Sequence, residues 1–285
     1  MTMSRLIVCR KCILKGLEGM PNCQRIGYRQ ANFHITRGSF KPRTICEDGP
    51  AFTTRLALPI DYDNVADFMT DIYYKGEPTV RNIGCAPVTA PPVWRENMYD
   101  QVKMGLSIVA ENRDHCLIGA ALNTVVYPWE AAAIEQCAKC VDSGPIKEVL
   151  HFFGYIAYQP RIFERFCVSR MFEVTSLAVD EDYRSMGVAK RLITESWYLA
   201  RDCDYKLFHM CCTNRHCMQI CSNFGWQEVW NIPFDQYVRN GEVIFKNVQE
   251  PNNICRVFID WLKDCKTYCQ PSKKCTKILP PPPQQ

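Results

Sequence analysis

Residues 172 to 212 constrain the fold of this chain more than any other stretch. Phe172-Glu-Val-Thr-Ser-Leu-Ala-Val179 is apolar and β-branched enough for a buried strand, and 187–200 places Val188, Leu192, Glu195 and Leu199 at helical spacing. Lys206–Cys212 then reads as a second strand. A strand, a helix and a strand in succession demand parallel pairing through a right-handed crossover. The loop between the first strand and the helix, Arg184-Ser-Met-Gly187-Val-Ala189, is the chemically informative part.

The flanking sequence extends this unit into a mixed sheet. Phe52–Ala57 reads as a short strand and Tyr62–Tyr74 as a helix, ended by Lys75-Gly76-Glu77-Pro78. Met104–Ala110 and Cys116–Val126, joined by a polar turn, read as an antiparallel hairpin. Trp129–Tyr158 is helical in pattern with a break at Ser143-Gly-Pro145. Met218–Phe224 continues as helix, Trp226–Ile232 as strand, and Asn240-Gly241 marks a late hairpin. The expected class is α/β, an α+β mixed sheet in one domain over residues 47–250. Residues 1–46 read as a loose basic, Cys-containing extension, and 251–285 as a C-terminal helix with a polyproline tail at Pro280–Pro283.

Charge and cysteine usage narrow the function classes. The net charge is +4, yet residues 1–46 hold nine Lys/Arg and one acid, which leaves the remainder near −4. That basic stretch has no aromatic-basic interleaving, so nucleic-acid binding is not expected. No run of 18 apolar residues and no leader-like apolar stretch occur, so the chain reads as neither membrane-spanning nor secreted. Eighteen cysteines scattered through strand- and helix-like runs fit a reducing, cytoplasmic setting, with a mitochondrial transit segment in the acid-poor first forty residues as the alternative. Cys9/Cys12 and Cys137/Cys140 have zinc-like inner spacing but no second pair at the required distance, and no metal site is expected.

The loop after the first strand has the composition of an anion cradle. At a helix start its N–H groups meet the positive end of the helix dipole, Gly187 and Ala189 allow close approach, and Arg184 adds a charge. In strand context, Val174-Thr-Ser-Leu-Ala-Val-Asp180 followed by Arg184-Ser-Met-Gly-Val-Ala-Lys-Arg-Leu192 resembles the signature of the GNAT superfamily of acetyl-CoA-dependent N-acetyltransferases, Arg/Gln-x-x-Gly-x-Gly/Ala after the central strand. Three further segments resemble the arthropod-type arylalkylamine branch: Lys75-Gly-Glu-Pro78, Ile162-Phe-Glu-Arg-Phe166 and Gly241-Glu-Val-Ile-Phe-Lys246. The resemblance covers about residues 52–250.

That resemblance implies a central, mostly antiparallel sheet splayed between its fourth and fifth strands, and an acetyltransferase, expected as a monomer, acting on a small primary amine. Acetyl-CoA would lie against the backbone of Leu177, Ala178 and Val179 and against Arg184, Ser185, Met186, Gly187, Val188, Ala189 and Lys190. Glu77 matches the family's catalytic base. Thr213 and Cys217 stand where the family has hydroxyl residues; Thr213 keeps the hydroxyl and Cys217 replaces it with a thiol.

Each of these positions also has an ordinary structural reading. Glu77 could simply terminate a helix, Thr213 cap one, and Cys217 fill the core. His209 and His216 flank the region as further candidates for a base, although His209 lies in a strand and His216 at a helix start. Tyr73, Tyr74 and Phe153 would line an aromatic acceptor pocket or belong to the core. The acceptor alternatives are a polyamine, an amino acid or a protein N-terminus, and a non-catalytic coenzyme-binding protein is the reading from another class.

Overall fold

A computed structural model describes residues 51–84, 92–141 and 144–262. The basic extension, the Cys9/Cys12 pair and the polyproline tail lie outside them. From the N-terminal side the elements are β1 (Phe52–Leu56), α1 (Tyr62–Phe68), which continues as a π-helical segment over Met69–Tyr74, and α2 (Pro78–Asn82). Then come α3 (Pro92–Lys103), β2 (Ile108–Asn112), β3 (Leu117–Val126), α4 (Glu130–Cys140), α5 (Pro145–Tyr158) and α6 (Ile162–Phe166). The second half holds β4 (Met171–Val179), α7 (Val188–Asp202), β5 (Leu207–Cys212), α8 (Arg215–Asn223) and β6 (Gln227–Pro233). A two-residue ladder, β7 (Val238–Arg239) with β8 (Glu242–Val243), precedes β9 (Ile254–Trp261).

The main sheet has seven strands in the order β1-β2-β3-β4-β5-β9-β6. Only β4 and β5 run parallel, as the strand, helix, strand reading requires; the other neighbours are antiparallel. One apolar layer joins α1, its π-helical extension, α3 and α5 to one face of the sheet through Met69, Tyr73, Trp94, Met98, Phe152 and Ile156. The other layer packs α7 and α8 on the opposite face through Val188, Leu192, Cys217 and Cys221. Among the described residues, no helix is long and apolar enough to cross a membrane.

Two features depart from the expected boundaries. The sheet does not end near residue 250, and Ile254–Trp261, expected within a C-terminal helix, is a strand inserted between β5 and β6. Its alternating burial supplies Cys255, Val257 and Ile259 to the first layer and Phe258 to the second. Helix α3 was also unexpected. It follows a run rich in Ala and Pro and brings Trp94, Met98 and Val102 onto β3.

The register of β4 decides where the sheet parts. Leu122 pairs with Ser176 but Asn123 with Val174, so Thr175 is an extra residue, a β-bulge. The Thr175 hydroxyl donates to Leu122 O (2.9 Å) and accepts from Gln101 Nε2 of α3 (3.2 Å), so the bulge is held from inside the fold. Pairing of β4 with β5 runs only from Phe172–Phe208 to Val174–Met210 and stops at that bulge. Beyond it the two strands part.

A close approach keeps α7 against the parted half of β4. A Cβ built on Gly119 of β3 would lie 2.9 Å from Val188 Cγ1 and 3.1 Å from Leu192 Cδ1, so only glycine lets the first turns of α7 rest there. Gly119→Val is expected to cost about 1–3 kcal/mol of unfolding free energy by overpacking this contact, measured by denaturant unfolding.

Candidate active site

The opening between β4 and β5 is lined on one side by backbone. Asp180 N–H donates to Ile118 O of β3 at 2.9 Å. Amides alternate in direction along a strand, so those of Ala178 and Asp180 face β3 whereas those of Leu177 and Val179 face the gap. The side chains of Leu177 and Ala178 are buried, one in each layer, and Val179 is half-buried. Backbone and side chain thus serve different ends at the same positions.

At the upper end of the gap the chain turns into α7. Ser185 (φ 65°) and Gly187 (φ 84°) are both left-handed, which folds Arg184–Gly187 into a tight exposed loop. The first intrahelical bond is from Arg191 N–H to Gly187 O (2.9 Å), so the amides of Val188, Ala189 and Lys190 precede the helix's own ladder. Such amides at the positive end of a fifteen-residue helix are suited to a diphosphate. Of the expected contacts, Arg184, Ser185, Met186 and Lys190 are exposed and Val188 is buried. Arg184 pairs with Glu181 (3.0 Å), and Lys190 Nζ lies 5.8 Å above the Phe224 ring.

Across the gap, Glu77 and Thr213 come together although 136 positions separate them in the sequence. Pro78 opens α2 without needing a donor, and Glu77, extended at φ −70° and ψ 124°, is its N-cap. Oε2 accepts from Val80 N–H (2.7 Å) and from the Thr79 hydroxyl. The residue is wholly buried. Burial pushes the carboxyl above its usual range, against hydrogen bonding from Thr79, Val80 and Thr213 that pulls it down. Thr213, also wholly buried, lies close enough for that effect, yet its contact is not well aligned: Glu77 Oε1 and Thr213 Oγ1 both lack a well-formed partner among the described residues.

The other sequence candidates divide. Thr213 does not cap α8; Asn214 does, its side chain accepting from His216 N–H (2.8 Å). Cys217 lies on the sheet's other face, in the α7/α8 layer, and burial raises its thiol. His216 is exposed. Tyr73, Tyr74 and Phe153 are core residues, with Tyr74 stacked on Trp94 at 4.4 Å, so they do not line an open pocket. A concavity of about 360 Å³ opens instead past the far end of α2, among Ile83, Glu148, Glu242 and Ile244. Cys137 and Cys140 lie on α4, and among the described residues no three His, Cys, Asp or Glu cluster as a metal site would need.

One pair escaped the sequence reading. His209 Nδ1 lies 3.0 Å from Glu173 Oε1, both wholly buried and directly opposite each other in the parallel register. Period-two alternation on β5 places His209, Cys211 and Thr213 on one face, a signal present in the sequence.

Among solved structures the chain is similar to arylalkylamine N-acetyltransferase 2 from Aedes aegypti, at 22% identity and a TM-score of 0.67. It is similar also to Drosophila melanogaster polyamine N-acetyltransferase (18%, 0.67) and to an agmatine N-acetyltransferase (18%, 0.68). In each case 74% of this chain aligns with 99% of the other. The chain has the GNAT fold. No family model matches it. In this GNAT fold β4 leads from the point of parting to the loop before α7, and β5 leads to Thr213 beside Glu77.

The buried carboxyl has a consequence for stability. Its value in the fold lies above that of the unfolded chain, so the fold favours the protonated form. That contribution is complete below the unfolded value and is lost as pH rises through the folded one. Glu77→Gln keeps a neutral acceptor for the cap. It is expected to unfold at higher denaturant than the native chain at pH 8, with the difference closing toward about pH 4.

Proposed function

We propose that the chain transfers the acetyl group of acetyl-CoA to a primary arylalkylamine, by direct attack of the amine. The observation that carries this reading is Glu77: a buried carboxylate with one oxygen committed to a helix cap and the other free beside Thr213, at the end of the strand that bounds the cleft.

The residues fit acetyl-CoA in two places. The loop and helix start at Arg184–Lys190 would hold the diphosphate, and the gap-facing amides of Leu177 and Val179 would pair with the amide-bearing arm as an added strand does. Bound there, acetyl-CoA supplies an activated acyl group whose carbonyl oxygen gains negative charge during attack. The gap-facing amides near Leu177–Val179 would receive that charge.

Glu77 acts on the acceptor. An alkylammonium has a pKa of about 10 and attacks only after losing a proton. A carboxyl raised by burial takes that proton better than a solvated one, directly or through a water. Thr213 orients Oε1. Cys217, whose thiol burial raises, is a poor proton donor, so no step is assigned to it.

The arylalkylamine choice rests on the likeness to the Aedes arylalkylamine N-acetyltransferase and on the segments Lys75–Pro78, Ile162–Phe166 and Gly241–Lys246. A polyamine or agmatine-like acceptor is the second reading. It is favoured by the likeness to the Drosophila polyamine and the agmatine N-acetyltransferases; Glu148 and Glu242, at the concavity past α2, already pair with Arg239 and Lys246.

The test is coenzyme A release over a panel of arylalkylamines, polyamines, amino acids and peptides. Turnover is expected with an arylalkylamine, and Glu77→Gln is expected to lower kcat by roughly a hundredfold or more while acetyl-CoA still binds. Turnover confined to diamines would replace the first acceptor by the second. Acetyl-CoA binding without turnover on any amine would refute catalysis.

A further inference from the structure

Two protons leave the nitrogen of an ammonium acceptor before it becomes an amide. One is lost before attack and the other as the N–C bond forms. One of them ends on the coenzyme sulfur as the C–S bond breaks, and the other ends in solvent. Glu77 is wholly buried and holds a single proton at a time. The raised Cys217 thiol is a weaker acid than an ordinary thiol and is not suited to protonate the departing sulfur. A second proton-holding group near the same strands would let the two protons leave separately.

The Glu173–His209 pair has the placement for it. It lies one residue short of Val174–Met210, the last rung before β4 and β5 part, and so sits wholly buried just behind the point of parting. On β5 it belongs to the face that carries Cys211 and Thr213, with Thr213 roughly 13 Å further along the strand. Glu77 with Thr213 and His209 with Glu173 thus bracket the parted stretch, in which the gap-facing amides also lie. Met171, Leu207 and Ile259 are apolar neighbours of the pair. Apolar residues of similar volume would pack there at less cost than a carboxyl and an imidazole out of water.

We propose that His209, held in orientation by Glu173, takes the second proton from the acceptor nitrogen and delivers it to the departing coenzyme sulfur. The inference rests on the acetyl-transfer reading. The step balances: the N–C bond forms, the C–S bond breaks, one proton crosses from nitrogen to sulfur, and the imidazole ends neutral as it began. The Glu173 carboxylate stabilises the imidazolium between the two transfers. Other titratable groups in this layer or reaching it include Cys211 on β5, Cys255 on β9, Tyr73 and Tyr74 on the π-helical segment that packs against β4, Tyr237, and Glu77, whose charge acts on Cys255.

The experiment measures kcat and the acetyl-CoA KM against pH for the full chain and for Glu173→Gln, His209→Gln, their double variant, and the apolar pair Glu173→Leu with His209→Leu. Each variant is expected to lose roughly tenfold or more in kcat with KM for acetyl-CoA nearly unchanged. The acid limb of log kcat is expected to flatten by one proton, and the double variant to be no worse than the singles. A purely structural pair predicts the reverse, with the apolar variant restoring stability and turnover together, and that outcome overturns the proposal. On the native chain, the ¹⁵N resonances of the His209 ring must titrate across the pH range in which kcat changes; a ring fixed in one protonation state overturns it whether or not the variants fold. If the native chain turns over no amine, the acetyl-transfer reading falls and takes this inference with it. If the native chain is active and the variants match it, only the inference falls.

Discussion

The site depends on one extra residue in one strand. Thr175 breaks the register of β4 against β3, and the parallel pairing of β4 with β5 ends at the residue before it. Without the bulge, nothing in the sequence of β4 or β5 would stop the ladder: both continue as buried, strand-forming residues through Val179 and Cys212. A continued ladder would consume the amides of Leu177 and Val179 and close the cleft. Unpaired strand edges are costly inside a protein, so the bulge must be secured. Thr175 does this through Leu122 O, and Gln101 secures Thr175 from α3.

Once β4 has parted, β5 needs another partner. β9 supplies it with an unbroken antiparallel register from Leu207–Trp261 to Cys212–Arg256. The strand that looks peripheral in sequence therefore holds the far wall of the cleft. It is anchored in turn to the helix over the parted strand, because Trp197 of α7 donates to Asp260 at 2.7 Å. The two walls are tied through the elements beneath them rather than across the gap, which leaves the gap free for a ligand.

What was legible in the sequence was local. The strand before Arg184, the glycine at 187 and the helix after it are contiguous, and their signals do not depend on distant residues. The Glu77-Pro78 cap was legible for the same reason. The bulge was not, since Thr175 differs in no compositional way from its neighbours and is defined only by the register of β3 fifty residues earlier. β9 was missed because a short strand after Pro251-Asn-Asn carries little pattern of its own and gains its role from β5 and β6. The π-helical turns at Met69–Tyr74 keep the apolar spacing of an α-helix, so periodicity does not separate the two. Thr213 and Asn214 are both good caps by type, and only the geometry assigns the cap to Asn214 and leaves the Thr213 hydroxyl for the cleft.

The same division of labour explains how a buried acid persists at Glu77. A carboxylate with no structural duty in an apolar layer would be replaced by a better-packed residue at a gain in stability. Here Oε2 caps α2 through Val80 and Thr79, a short helix that begins at Pro78 with its first donor already removed. The cap fixes the carboxyl plane and so holds Oε1 on the Thr213 side with little rotamer freedom left. Aspartate would shorten the reach and alanine would leave Val80 N–H unmet. Among carboxylates, glutamate is the one long enough to cap its own helix with one oxygen and present the other to the cleft.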